Sequence, residues 1–347
     1  MRVMIAPDSF GETLTAVQAA HAIADGWASA RPQDDLVLMP QSDGGPGFVD
    51  VLATRGGDVR TEYVSGPLVD SVDARWLLVG STAFVEVAQA CGLGLLGGAP
   101  DPQTSLSAHS RGVGEMIDAA LGAGATTVVV GLGGSSCTDG GRGMVRALGG
   151  LGEAMSKLRD VELVVASDVE NPLLGPLGAA AVFGPQKGAD AAALDVLEDR
   201  NADWAEVLRA VTGKAVDERD GAGAAGGIGA ALLALGGRRR SGAELVAEYT
   251  DQDAVLGDVD LVLTGEGKFD SQSLRGKLVT ALASAGGRFS VRTVVLAGQV
   301  VLTDRQVADA GVTAAHSVTE FAGSVDVAMS DARNQLTALA ARVASDW

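Results

Sequence analysis

The sequence predicts an α/β protein: a Rossmann-like parallel-sheet domain with a second α/β domain inserted into it and an active-site cleft between the two. Three observations carry this reading. Short apolar runs (RVMIAP, DLVLMP, VDLVLTG, TVVLAG and AAHSV) alternate with stretches whose apolar residues recur at helical spacing, the pattern of parallel strands joined by crossover helices. Two of these runs precede residue 41 and three follow residue 258, so one sheet's strands flank a long middle segment. That segment has strand-like runs of its own, AFVEVA, TTVVVGL and VELVVASD. The expected division is 1–62 with 258–347 for the discontinuous domain and 63–257 for the insertion; tandem domains meeting near residue 150 are the alternative.

In chain order, RVMIAP reads as a buried strand, DSFGET as a polar turn and LTAVQAAHAIADGWASA as an amphipathic helix. DLVLMP, QSDGGPG and FVDVLATRG repeat the strand, turn and helix. In the middle, a helix over GVGEMIDAALGAG separates AFVEVA from TTVVVGL, and a helix from Gly143 leads to VELVVASD. AAAVFG and the Ala/Gly-rich GAGAAGGIGAALLALGG complete the segment. VDLVLTG, EGKFDSQ and SLRGKLVTALASAGG then restore the first texture, followed by TVVLAG, the helix TDRQVADAG, AAHSV and a final helix over DVAMSDARNQLTALAARVA.

Composition removes several function classes. A chain of 347 residues that is 47% hydrophobic has material for two cores. Its net charge of −18 argues against nucleic acid and anionic membrane surfaces, which require clustered positive charge, but leaves small phosphate ligands open. Cys91 and Cys137 lie among small, apolar residues and read as buried thiols, not as a disulfide framework or nucleophiles. No leader pattern precedes the first strand and no run of 18 apolar residues occurs, so a cytoplasmic protein is expected. Oligomeric state is left open, a homo-oligomer included. No HExxH or paired CxxC supports zinc, and no G-x-S-x-G elbow has a triad beside it.

The polar turns after the strands hold the chemistry, because ligands of open α/β sheets bind beyond the carboxyl ends of the strands. Asp8 and Ser9 follow the first strand, and Ser42, Asp43, Gly44 and Gly45 the second. Gly133, Gly134, Ser135 and Asp139 follow TTVVVGL, Asp168 follows VELVVAS, and Gly265, Glu266, Lys268 and Asp270 follow VDLVLT. Carboxylates gathered at such ends need a cation, and hard oxygen ligands select Mg²⁺, which bridges nucleotide phosphates. The stretch VVVGLGGSSCTDGGRGM over 128–144 is glycine-rich yet lacks the lysine of a P-loop. Backbone amides of Gly133, Gly134 and Ser135 at a helix start can meet phosphate directly, with Lys187 and Lys268 or Lys277 supplying charge.

The ordered strings IAPDSF, SDGGPG, VEVAQACGL, GVGEMI, GLGGSSCTDGG, ASDVENPLLG, AVFGPQKGA and LVLTGEGKFDSQSLRGK resemble the bacterial glycerate kinases of the first class over nearly the whole chain. That resemblance implies two α/β domains, with ATP and Mg²⁺ used to phosphorylate D-glycerate, in this class usually at the 2-hydroxyl. Phosphoryl transfer needs a group at the acceptor hydroxyl and charge at the phosphates; we assign Asp43 or Asp168 to orienting or deprotonating the hydroxyl and Lys187 to a phosphate. Gly133, Gly134, Ser135, Gly265, Glu266 and Lys268 would bind nucleotide phosphates, and Asp8, Asp139 and Asp270 the metal or its outer sphere. Ser9, Arg111 and Arg275 would meet the substrate. Three turns depart from the family pattern: Gly11 stands where DSFKGSLSA has lysine, Pro46 and Phe48 replace residues of ADGGEGT, and Cys137 and Thr138 fall within GGSATNDGG. The departures motivate an alternative, a paralogue that binds nucleotide without catalysis or phosphorylates another hydroxy acid.

Overall fold

The apolar runs from the two ends of the chain meet in one sheet. In the computed structural model, which describes residues 1–274 and 278–347, five parallel strands lie in the order Asp35–Leu38, Arg2–Ile5, Leu261–Thr264, Arg292–Ala297, Ala314–Ser317. Numbered along the chain this is 2-1-3-4-5, a doubly wound order whose winding reverses between the first and third strands. Side chains alternate across the sheet. Val3, Ile5, Leu263 and Leu296 pack with Trp27 of the helix Ala16–Ala30 and Leu339 of the helix Ala332–Ser345 on one face. Met4 and Val262 meet Leu256 and Leu282 on the other. The helix Ala16–Ala30 starts at a capping box: Thr15 Oγ1 accepts from Gln18 N at 3.2 Å and Gln18 Oε1 from Thr15 N at 3.0 Å.

The middle of the chain forms a six-stranded sheet in the order Asp58–Ser65, Ser71–Val79, Thr82–Glu86, Thr127–Gly131, Glu162–Ala166, Arg238–Arg240. Its first three strands form an antiparallel meander, and the rest pair in parallel. The expected boundary at 62 falls inside the strand Asp58–Ser65, whose ladder with Ser71–Val79 runs from Asp58↔Leu78 to Ser65↔Ser71. A ladder of that length assigns 58–65 to the middle sheet. The two compact units are accordingly 1–42 with 246–347, and 43–245, so the chain leaves the first unit inside the QSDGGPG turn. The position near 150 that a tandem division would use precedes a helix, Leu151–Lys157, within the second unit. AAAVF over Ala179–Phe183 is helical. Among the described residues no helix is long and apolar enough to cross a membrane.

Beside the first sheet, Asp34 accepts from the N-terminal ammonium at 2.9 Å, from Arg31 Nε at 2.6 Å and from Trp27 Nε1 at 3.0 Å. The Arg31 hydrogen bond, helped by the other two, holds this carboxyl well below the usual carboxylate range. A depressed folded pKa gives stability that is present above the unfolded value and lost as pH falls toward the folded one. Asp34→Asn is expected to cost about 2 kcal/mol at pH 7. Melting curves should show the gap between variant and parent narrowing below about pH 4; a gap that stays constant with pH would mean that ionisation is not its source.

Candidate functional site

In a 2-1-3-4-5 sheet the crevice lies at the carboxyl ends of strands one and three. There the turns following Arg2–Ile5 and Leu261–Thr264 are tied together, Asp8 N donating to the Gly265 carbonyl at 2.8 Å. Asp8 Oδ1 accepts from Ser9 N at 2.6 Å. Lys268 Nζ lies 3.5 Å from Asp270 Oδ2, and Asp270 Oδ1 accepts from Gln272 N at 2.8 Å. That backbone bond, with the Lys268 charge, holds the Asp270 carboxyl below its ordinary value. A cavity of about 640 Å³ is lined by Glu266, Lys268, Asp270 and Gln299 together with the apolar Val318, Val325, Met329 and Leu336. Gly11 also lines it, at φ +59° with no atom within 4 Å of where a Cβ would sit. The backbone there calls for glycine, while the space does not.

The second unit gathers the remaining turns beyond Thr127–Gly131 and Glu162–Ala166. Asp168 Oδ1 accepts from Gly242 N at 3.1 Å, and a Cβ on Gly242 would stand 1.9 Å from the Asp43 carbonyl oxygen. A side chain at 242 would force apart the turns bearing the two aspartates. Asp43 Oδ1 accepts from Gly45 N at 3.0 Å. Lys187, 2% exposed, donates to Ser135 Oγ at 2.9 Å and to the Cys137 carbonyl at 2.6 Å. Its ammonium has three protons, and it forms no ion pair among the described residues. Burial lowers its pKa. Cys91 and Cys137 are both buried and free. The contact with Cys91, together with burial, raises the Cys137 thiol.

Three expectations change on contact with this geometry. Gly133 gives its amide to the Gly44 carbonyl at 3.0 Å, and a Cβ on it would lie 2.3 Å from Gly45 Cα. The Gly133 amide is therefore not offered to phosphate. A Cβ on Gly134 would lie 2.6 Å from Pro46 Cγ, so both glycines let the SDGGPG turn sit against their own. The next helix, Arg142–Ala147, is also not an open anion site. Asp139 fills its start, accepting from Gly141 N at 3.0 Å, Gly143 N at 2.9 Å, and Ser110 N and Oγ each at 2.9 Å. With four donors on its two oxygens, Asp139 is a bracket within the fold and not the metal ligand expected of it.

Asp8, Ser9, Gly265, Glu266, Lys268 and Asp270 thus belong to the first unit, and Asp43, Gly133, Gly134, Ser135, Asp139, Asp168 and Lys187 to the second. Arg111 is also in the second, its Nε on Glu115 Oε1 at 2.8 Å. Arg275 and Lys277 lie outside the described residues. Among the described residues no three His, Cys, Asp or Glu side chains are grouped to hold a metal ion.

Glu86 is the residue that sequence reasoning passed over. It is 1% exposed and accepts from Gly47 N at 3.1 Å, Val49 N at 3.2 Å and Gln89 Nε2 at 3.4 Å. It braces the turn that carries Asp43 and fills the start of the helix Phe48–Ala53. The signal was an acid at the end of an apolar strand, in AFVEVA.

These are the features of an α/β protein with a doubly wound unit, an inserted unit and polar turns at the carboxyl edge of each sheet. The model of the glycerate kinase family matches residues 3–153 and 150–347. The chain is 38% identical to a glycerate kinase of Bacillus subtilis and 37% identical to a glycerate 2-kinase of Escherichia coli, in each case over 99% of this chain and 97% of the relative. An uncharacterised protein of Mycobacterium bovis is 56% identical over 99% of this chain and 91% of its own. The Salmonella typhimurium LT2 crystal structure described as glycerate kinase 2 superposes with a TM-score of 0.79 at 33% identity, covering 100% of this chain and 98% of that one. The chain belongs to the glycerate kinase family.

Burial raises the Glu86 pKa above 4.5. A carboxyl with a raised folded pKa loses stability as pH climbs from the unfolded value through the folded one. Glu86→Gln keeps an acceptor oxygen and removes that loss, so its melting temperature should vary less between pH 4.5 and 8 than the parent's. Parallel melting profiles over that range would contradict the assignment.

Proposed function

We propose that this chain is an ATP-dependent glycerate kinase that phosphorylates D-glycerate at the 2-hydroxyl. Lys187 is the observation that carries the proposal. A buried ammonium that forms no ion pair costs several kcal/mol, and a phosphate or carboxylate of the substrate pair supplies a direct partner beyond the more distant Asp139 charge. Ser135 accepts from Lys187, which leaves its own hydroxyl proton to donate to the same anion. Asp43 or Asp168, on the paired turns, would orient or deprotonate the acceptor hydroxyl.

The first unit's cavity suits a nucleotide. Its apolar residues (Val318, Met329, Leu336) fit a base, and Lys268 fits a phosphate. At about 640 Å³ it lies within the range of small-molecule sites. Asp270, which lines that cavity, would be the carboxylate to hold Mg²⁺, and the ion would supply neutralisation of phosphate charge. Support for glycerate itself comes from the named relatives, and for the 2-position from the Escherichia coli glycerate 2-kinase. The positive φ of Gly11 accounts for the lost family lysine as a backbone requirement, and so weakens the case for a non-catalytic paralogue.

Coupled ADP release with a panel of hydroxy acids tests the proposal, with ³¹P NMR separating 2- from 3-phosphoglycerate. Turnover confined to another acid, or nucleotide binding without turnover, would replace it with the alternative. Lys187→Met should lower kcat/KM by about 100-fold or more while the protein stays folded by circular dichroism. An equal fall in stability and activity would make the lysine structural. Gly11→Lys should lower stability by about 1 kcal/mol without raising kcat/KM. A tenfold gain in kcat/KM would instead show that a charge is missing there, worth about 1.4 kcal/mol.

A further inference from the structure

The second unit has a cavity of about 490 Å³ that none of Asp43, Ser135, Asp168 or Lys187 lines. Four arginines do: Arg111, Arg142, Arg146 and Arg200. In a chain of net charge −18 such a cluster runs against the overall balance. The only acid lining the cavity is Asp139, whose oxygens are already taken by Ser110, Gly141 and Gly143.

Two of the guanidinium groups, those of Arg142 and Arg200, are held by neutral partners. Arg142 lies over the Trp204 ring at 5.3 Å and donates to the Arg200 carbonyl. Arg200 Nη1 donates to the Leu106 carbonyl at 2.8 Å, and Trp204 Nε1 to the Gly140 carbonyl at 2.8 Å. These partners are neutral. Arg146 forms no ion pair among the described residues, and Arg111 alone meets a carboxylate, that of Glu115. A second, independent observation points the same way. Thr138, 2% exposed and lining the cavity, has an Oγ1 with no hydrogen-bond partner, and the Nδ1 of His109, which also lines it, has none either.

We propose that this cavity binds a small phosphate-bearing polyanion, separately from the turns of Asp43, Asp168 and Lys187. Arginine forks match phosphate oxygens in pairs, and the Thr138 hydroxyl adds a donor at the buried end. An anion relieves the mutual repulsion of the guanidinium groups, of which only Arg111 forms an ion pair with a carboxylate among the described residues. Arg142 and Arg146 occupy the helix that Asp139 caps, so occupancy stiffens the same loop that carries Ser135. The proposal does not depend on which acceptor the enzyme phosphorylates.

Trp204 is a built-in reporter. Titration of the full chain with pyrophosphate, inorganic phosphate and ATP at constant ionic strength should change its fluorescence saturably, and Trp204→Phe should remove the change. Arg146→Gln, at an exposed residue with no ion pair to break, should weaken pyrophosphate binding by about tenfold, and Arg142→Gln with Arg146→Gln by more. Tighter binding of ATP than of pyrophosphate, with the same arginine dependence, identifies a nucleotide tail as the source; equal or weaker binding identifies a free phosphorylated compound. Either supports the site. Pyrophosphate affinity unchanged in both variants, or no saturable binding of any of the three anions, overturns it. An inactive protein that still binds pyrophosphate through these arginines would refute the kinase proposal alone, and an active one that does not would refute only the polyanion site.

Discussion

Four donors converge on one carboxylate. Asp139 takes hydrogen bonds from Ser110 at two atoms and from Gly141 and Gly143, and the geometry of the second unit's functional loop follows from it. Without that bracket the start of the helix Arg142–Ala147 would expose its amides, and the helix Arg111–Gly122 would lose its tie to the loop. With it, residues 133–143 are held on both sides: by the helix they lead into, and by Lys187, which bonds Ser135 and the Cys137 carbonyl. A negative charge spent on structure leaves the positive charges nearby, the Lys187 ammonium and the arginines of the neighbouring cavity, for ligands.

Glycine works here through the absence of a side chain at Gly133 and Gly242, and through that together with a left-handed torsion at Gly134, φ +72°. Gly133 and Gly134 admit the SDGGPG turn, and Gly242 admits the Asp43 carbonyl. These contacts bring the turns of Asp43 and Asp168 together at one edge of the sheet. Glu86 then fastens the SDGGPG turn from below through its bonds to Gly47 and Val49. Its burial costs free energy, a cost the hydrogen bonds offset, and what they secure is the position of a turn. Gly11 is the contrasting case: the space around it is open, and a left-handed torsion is what keeps it glycine.

The family pattern and the physical reading meet at the departures. Pro46 fits because Gly134 has no Cβ for its ring to strike. Thr138, where the family pattern differs, has an unpaired hydroxyl at the arginine-lined cavity. Arg142 and Arg146 follow the same GLGGSSCTDGG string. What distinguishes this chain from the pattern is concentrated on one loop and the helix after it.

Local pattern determined the strands, the amphipathic helices and the polar turns, because apolar periodicity acts over a few neighbours: RVMIAP, the helix after it and the Asp8 and Gly265 turns were all legible. So was family membership, through strings such as VFGPQKGA. Only the tertiary structure decided how the turns spend their polar groups. Asp139 reads like a metal ligand and is a cap, and Gly133 reads like a phosphate cradle and packs on Gly45. The crossing between units falls at Ser42 and Asp43, not near 62, because the ladder of Asp58–Ser65 with Ser71–Val79 outweighs the repeated strand, turn and helix pattern. Hydrogen-bond donors 29 to 50 residues away, such as Ser110 for Asp139 and Lys187 for Cys137, settle a side chain's role, and nothing within a short window of sequence records them.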